Sequence, residues 1–134
     1  MPDIKYGNSE TAHRYSRIRD YVAVNQAAVK QMYRQVGDLV LDSSGIARRG
    51  LLIRHLVLPG LLDETEKVLA FIAHEISPNS YINLMDQYHP CYRADNYPPL
   101  NRSLSRKEYR EALKMADRFG LKRLDQRHVP FRWL

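Results

Sequence analysis

The stretch Leu51-Leu52-Ile53-Arg54-His55-Leu56-Val57-Leu58-Pro59-Gly60 decides the fold class of this chain. Apart from Arg54 and His55, its first eight residues are all Leu, Ile or Val, which is typical of a strand covered on both faces in a parallel sheet. Pro59 and Gly60 end the run. A parallel strand requires helical crossovers, so the neighbouring segments should be helical.

The segments before this strand predict one helix and one hairpin. Residues 20–36 carry apolar residues at helical spacing, and Gly37 is a plausible stop. Residues 2–5 are short and extended, and the polar residues 6–19 are expected to form a loop. Residues 38–48 predict a small hairpin that turns at a glycine. The expected buried face of the helix consists of Tyr21, Val24, Ala28, Met32 and Val36.

The segments after it alternate between helix and strand patterns. Two capping boxes, Asp63 with Glu66 and Ser105 with Glu108, predict helices that run to about Ile76 and to Gly120. Between them lie a predicted strand and a long loop rich in proline and aromatic residues, and a last short strand follows the second helix. These three segments are residues 81–85, 86–104 and 121–124.

The pattern predicts one α/β domain over residues 1–134, with about three parallel core strands, crossover helices and a small hairpin. Three strands leave the edges of a parallel sheet open, so we expect the chain to be part of a larger βα assembly. The tail, residues 126–134, is expected to pack against the rest of the chain or to expose Trp133.

Composition excludes several classes of protein. The 134 residues carry a formal charge of +6, and basic and acidic residues alternate on the predicted helices, so nucleic-acid binding is not favoured. No apolar run approaches the ~20 residues of a membrane span, and the first residues do not resemble a signal peptide, which predicts a cytoplasmic protein. The single cysteine, Cys91, excludes an internal disulfide.

Arg54 is the most informative polar residue. A guanidinium within an apolar strand is costly unless it is paired, and its planar fork suits a carboxylate. One interpretation is a ligand contact, and the other is a structural ion pair with Asp3 or Asp86. Asp3 and Lys5 alternate along an extended segment and should lie on one face. His89 follows the next strand, where α/β folds bind ligands.

Four stretches together resemble the C-terminal half of radical SAM proteins, and most closely the group of the pyruvate formate-lyase activating enzyme. The most specific pair is the Ile-Arg-x-x-x-x-Pro-Gly element that begins at Ile53 and the Tyr88-His89 dipeptide after the next strand. The resemblance covers roughly residues 2–125. The four stretches are Asp3-Ile4-Lys5-Tyr6, residues 34–39, residues 49–60 and residues 83–90.

The resemblance implies a partial (β/α) barrel that binds S-adenosylmethionine and a [4Fe–4S] cluster, and that abstracts hydrogen from a substrate through a 5′-deoxyadenosyl radical. It places Asp3 and Lys5 near the methionine end of S-adenosylmethionine, Arg54 at its carboxylate and His89 at its adenosyl part. Which substrate reacts does not follow from it.

The chain departs from this family in one respect. The family holds its cluster with three cysteines in its N-terminal half, whereas this chain has one. We therefore expect it to hold no cluster and to be inactive alone, as a truncated gene, a split-gene product or a cut segment that an N-terminal half or a neighbouring chain completes. The alternative is a small basic module that binds nucleic acid or a protein without catalysis, with the loop tyrosines Tyr88, Tyr92 and Tyr97 as stacking groups.

Overall fold

A computed structural model describes residues 1–125, so the predicted packing of the tail lies outside the described residues. The α/β class is confirmed. In chain order the elements are α1 (Ser9–Ser16), α2 (Tyr21–Val36), β1 (Val40–Leu41), β2 (Ala47–Arg49), β3 (Leu52–Leu56), α3 (Leu62–Phe71), a π-helical turn (Ile72–Ile76), β4 (Tyr81–Met85), a 3-10 turn (Ala94–Asn96) and α4 (Arg106–Arg118).

The central sheet consists of the parallel strands β3 and β4, with Arg54 beside Asn83. Single parallel bridges extend it on both sides, from Asp3 to Arg54 and from Ile82 to Leu124. The described residues therefore form two regular parallel strands instead of about three. The first and last extended segments contribute one bridge each, and β1 and β2 form the predicted antiparallel hairpin.

Only one face of β3 is fully covered, so the prediction of a strand buried on both faces was wrong. Ile53 and His55 are buried against the helices, while Leu52, Arg54 and Leu56 are half-buried on the other face. The core lies between the sheet and the helices that follow its strands. Its largest members are Ile4, Ile53, Leu69, Ile72, Ile82, Leu84 and Leu121.

Local sequence signals predicted two features correctly. Gly37 ends α2 with a positive φ, and its N–H donates to the Tyr33 carbonyl at 2.8 Å. Ser105 and Glu108 form the predicted capping box of α4. Glu108 also accepts hydrogen bonds from Arg102 and from the Gly60 N–H, and Arg102 above all lowers the pKa of its carboxyl well below the usual range.

Two predictions for the helices before the sheet were wrong. Residues 6–19 contain α1, which begins after Asn8, whose side chain accepts a hydrogen bond from the Glu10 N–H. The expected buried face of α2 is largely exposed. Val24, Met32 and Val36 face solvent, whereas Val29 is the fully buried residue of this helix, because α2 packs against the π-helical turn with its other side.

The capping box predicted for α3 is also absent. Leu61 occupies the N-cap position, and no side chain caps this end. Within residues 1–125, no helix combines the length and the apolar character that crossing a bilayer requires.

Candidate functional site

A row of polar side chains crosses the half-covered face of the sheet. The bridge from Asp3 to Arg54 and the pairing of Arg54 with Asn83 place these three residues side by side, because bridged residues of parallel strands point to the same face. We call Asp3, Arg54 and Asn83 the polar row. Each of its members is half-buried, so the row is accessible to a small ligand.

Arg54 and Asp3 form an ion pair, in which Arg54 Nε lies 3.1 Å from Asp3 Oδ1. The Arg54 side chain is 32% exposed. Its Nε–H is not aligned with the carboxylate and makes no hydrogen bond in the described part of the chain. The backbone fixes the pair, since the Ile4 N–H donates to the Arg54 carbonyl and the Arg54 N–H donates to the Pro2 carbonyl.

Two asparagines complete the surroundings of this pair. Asn25 of α2 donates from Nδ2 to the Asp3 carbonyl at 3.1 Å, and Asn83 lies next to Arg54 on β4. The Oδ1 atoms of both amides are buried without a hydrogen-bond partner among residues 1–125. Buried polar atoms are nearly always satisfied, so this concentration of unsatisfied groups is typical of a place that binds something polar.

The other two predicted site residues lie apart from this pair. Lys5 follows Asp3 on the same face and is exposed, and its backbone N–H donates to the Tyr21 hydroxyl at 2.8 Å. His89 is also exposed and lies beyond the carboxyl end of β4, with Nδ1 3.2 Å from the Gln87 carbonyl. Among the described residues, no hydrogen bond or ion pair joins Lys5 or His89 to Arg54 or Asp3.

The sequence interpretation missed Asn25 and Asn83. Asn83 could have been found, because it is the one polar residue of the predicted strand 81–85 apart from its first position. Asn25 carries no such signal, since a polar residue on a helix is usually solvated.

The donor set fits an amino-acid ligand better than a metal. A guanidinium beside a carboxylate offers partners for an α-carboxylate and an α-ammonium. Residues 1–125 contain no group of three or more His, Cys, Asp or Glu side chains arranged to hold a metal ion. The single cysteine, Cys91, is exposed.

The chain is similar to an uncharacterized protein of the archaeon Methanocaldococcus jannaschii. The two are 34% identical over 122 residues, which cover 90% of this chain and 32% of that protein. The chain therefore spans about a third of the length of this curated relative. No protein-family model matches the chain. No solved structure matches it.

Proposed function

We propose that this chain is the C-terminal portion of a radical SAM enzyme of the activating-enzyme type, in which Arg54 binds the carboxylate of S-adenosylmethionine. The observation that carries the proposal is the position of Arg54. It lies half-exposed on an open sheet face, beside a carboxylate and among buried amide oxygens without partners. A residue with only a structural role would more often have its hydrogen-bonding capacity filled.

The order of the parallel segments supports a partial barrel. Residues 2–4, β3, β4 and the segment at Leu124 neighbour one another in the order in which they occur along the chain, with helices between them. This sequential order is that of a (β/α) barrel, whereas doubly wound sheets reverse their strand order. The polar row then faces the inside of the proposed barrel, where a cofactor is bound.

The polar row offers one partner for each of the two charges at the amino-acid end of S-adenosylmethionine. The terminal nitrogens of Arg54 make no hydrogen bond in the described part of the chain, so they are available to a carboxylate in the two-bond geometry that a guanidinium favours. Asp3 offers its carboxylate to the ammonium group. We assign Lys5 to the methionine end and His89 to the adenosyl part, on the resemblance alone.

The iron–sulfur part of the family's chemistry does not fit this chain. Such a cluster needs three cysteine thiolates from the protein, and this chain has one, Cys91. We therefore assign the cluster to residues outside this chain and propose that residues 1–134 alone do not carry out the reaction. The greater length of the archaeal relative is compatible with a longer parent protein.

The variant Arg54→Lys tests the proposed ligand contact. Lysine retains the charge beside Asp3 but lacks the planar fork, so we expect the affinity for S-adenosylmethionine to fall about ten-fold while the fold persists. Titration calorimetry with the full chain measures the affinity, and thermal unfolding verifies the fold.

The matched control is Arg19→Lys, which changes an exposed arginine away from the sheet and should bind like the wild type. Equal affinity in Arg54→Lys and the wild type would overturn the proposal. So would the absence of any binding to the wild-type chain at millimolar S-adenosylmethionine.

The exposed side of α2 supports the proposal that a neighbouring part of the protein completes the barrel. Val24 is 59% exposed, and Met32 and Val36 follow it at helical spacing on the same side. A contiguous apolar stripe of this kind is typical of a surface that packs against another element. The sheet is also open at residues 2–4, which have no further strand beside them in residues 1–125.

We expect the double variant Val24→Lys/Met32→Lys to reduce self-association of the isolated chain. Both side chains are exposed, so the free energy of unfolding should change by about 0.5 kcal/mol or less per site. Sedimentation velocity over a concentration series measures the association. The control Gln31→Lys adds charge to an exposed position without removing apolar surface. A wild-type chain that is monomeric at every concentration would contradict this expectation.

A further inference from the structure

A second candidate site lies between α1 and the long loop after β4. It is a cleft of about 370 Å³, a volume within the usual range for small-molecule sites. Arg14 and Tyr15 of α1 and Arg17 just after it form one wall. The loop from Tyr88 to Leu100 forms the other wall. We call this site the arginine–tyrosine cleft.

The charge of the cleft is wholly positive. Arg14, Arg17 and Arg93 line it, and no aspartate or glutamate does. None of the three arginines takes part in an ion pair among residues 1–125. Three guanidinium groups without carboxylate partners around one cavity repel one another, so an anion in the cleft would be stabilised. The phosphate group suits such forks especially well.

Four tyrosines also line the cleft, and three of them are held in place. The Tyr15 and Tyr97 rings contact edge to face, with 6.3 Å between their centroids. The Tyr88 hydroxyl donates to the Leu100 carbonyl at 2.7 Å, and burial raises the pKa of this tyrosine. Tyr92 is different, because it is 89% exposed. An exposed ring beside a fixed aromatic wall is a natural partner for a flat ligand.

Cation–π contacts join the two kinds of side chain. The Arg14 guanidinium carbon lies 5.3 Å from the centre of the Tyr15 ring, and that of Arg93 lies 5.3 Å from the Tyr92 ring. The aromatic surfaces and the cationic groups therefore lie side by side. A ligand that combines a flat ring with an anionic group would contact both at once.

The cleft also lies where α/β folds bind ligands. Tyr88 follows the carboxyl end of β4 and packs on a small apolar cluster that includes Tyr6, just after the first extended segment, and Leu58, just after β3. The cluster against which this wall of the cleft packs is thus built from residues that follow three neighbouring parallel segments. Ligands of open α/β sheets gather at this edge.

We propose that the arginine–tyrosine cleft binds a mononucleotide, with its base stacked on Tyr92 and its phosphate held by Arg14, Arg17 and Arg93. The volume of about 370 Å³ accommodates one nucleotide, which favours a free mononucleotide over a nucleic-acid strand. Neither the polar row nor His89 lines this cleft, so the proposal does not rest on the function proposed above.

Titration calorimetry of the full chain with adenosine monophosphate tests the proposal, with adenosine and inorganic phosphate as partial ligands. We expect adenosine monophosphate to bind at least about ten-fold more tightly than either part, because stacking and phosphate contacts act together. Arg14→Ala/Arg93→Ala should weaken its binding about ten-fold or more. Tyr92→Ala should weaken it about five-fold or more, which is the low end of the stacking contribution for one base.

Two controls separate this proposal from others. Arg19→Ala removes one arginine charge outside the cleft and should leave the affinity unchanged. Arg54→Lys should also leave it unchanged, because Arg54 does not line the cleft. The cleft variants in turn should leave the affinity for S-adenosylmethionine unchanged, so the two proposals fail or succeed separately. Binding of an eight-residue uridine oligonucleotide without binding of the mononucleotide would overturn the proposal. Affinities for adenosine monophosphate that do not change in the cleft variants would overturn it as well.

Discussion

Replacing Glu64 with alanine is expected to destabilise the chain by about 3 kcal/mol, because it removes the partner of several buried donors at once. Glu64 is 1% exposed. Its Oε2 accepts hydrogen bonds from the Gly7 and Asn8 N–H groups at 2.7 and 2.8 Å, and its Oε1 accepts one from the Thr11 hydroxyl at 2.8 Å. The carboxylate therefore ties α3 to the first turn of α1.

The close approach of these two helices depends on a glycine. A Cβ atom at Gly7 would lie 2.4 Å from the Lys67 Cβ, so only glycine allows the backbone to come near enough to reach Glu64. Since α1 carries one wall of the arginine–tyrosine cleft, the loss of Glu64 should also loosen that cleft.

Urea unfolding of Glu64→Ala, Glu64→Gln and Glu66→Ala measures this contribution. Glutamine retains the shape and one acceptor oxygen. The free energy of unfolding should therefore fall less than half as much in Glu64→Gln as in Glu64→Ala. Glu66 is an exposed residue of the same helix, and its loss should cost about 0.5 kcal/mol or less. If Glu64→Ala and Glu66→Ala are equally stable, Glu64 does not hold α1 in place.

The same contacts explain why α1 could not be predicted from its sequence. Ser9–Ser16 is polar and lacks apolar periodicity, and Ala12 is its one buried residue. Glu64, which is more than 45 residues away along the chain, stabilises this helix. The local sequence of the helix does not indicate such a distant partner. The capping boxes illustrate the same limit. Ser105 and Glu108 form theirs, whereas Asp63 and Glu66 match the same pattern without forming one.

The polar row was partly predictable. Period-two alternation placed Asp3 and Lys5 on one face, and the cost of a charge in an apolar strand marked Arg54 as paired. The ion pair with Asp3 was one of the two interpretations of that charge, and it is present. Which residues flank the pair depends on the register of β3 and β4 and on the packing of α2. Neither can be read from one strand.

The prediction of the buried side of α2 was wrong for a different reason. Apolar residues lie on two sides of this helix, and the sequence does not say which side meets the core. Val29 and the half-buried Tyr33 pack in the core cluster, so the side of the helix that carries Val24 and Met32 is exposed. A second apolar side is itself informative, since it is what a helix needs when it packs against two neighbours.

His55 should make the stability of the chain depend on pH. It is fully buried between the first extended segment and α3, and desolvation lowers the pKa of its ring from 6.5 to about 4, against an opposing hydrogen bond with Ile4. Nδ1 donates to the Ile4 carbonyl at 2.6 Å, since a carbonyl can only accept. Because the ring is neutral above this lowered pKa, Nε2 accepts from the Thr65 hydroxyl at 2.9 Å.

The sign of the pH dependence follows from the pH at which His55 binds a proton in the unfolded and in the folded chain. The unfolded chain protonates His55 near pH 6.5, whereas the folded chain resists protonation until about pH 4. Stability from this residue is therefore complete above the unfolded pKa and is lost as the pH falls through the interval between the two values. The expected loss between pH 7.5 and pH 5 is about 2 kcal/mol. The lowered pKa values of Asp42, Glu108 and Glu111 act mainly below pH 5, because in the unfolded chain these carboxyls are half protonated at pH 3.8 for Asp42 and at pH 4.5 for the two glutamates.

Urea unfolding at pH 7.5, 6.5, 5.5 and 5.0 measures the slope. In His55→Leu this contribution should vanish, although the variant should be less stable at pH 7.5 by about 1–3 kcal/mol because the Ile4 carbonyl and the Thr65 hydroxyl lose their partner. His89→Gln removes an exposed histidine and should retain the wild-type slope. A wild-type slope in His55→Leu would mean that another group carries the pH dependence.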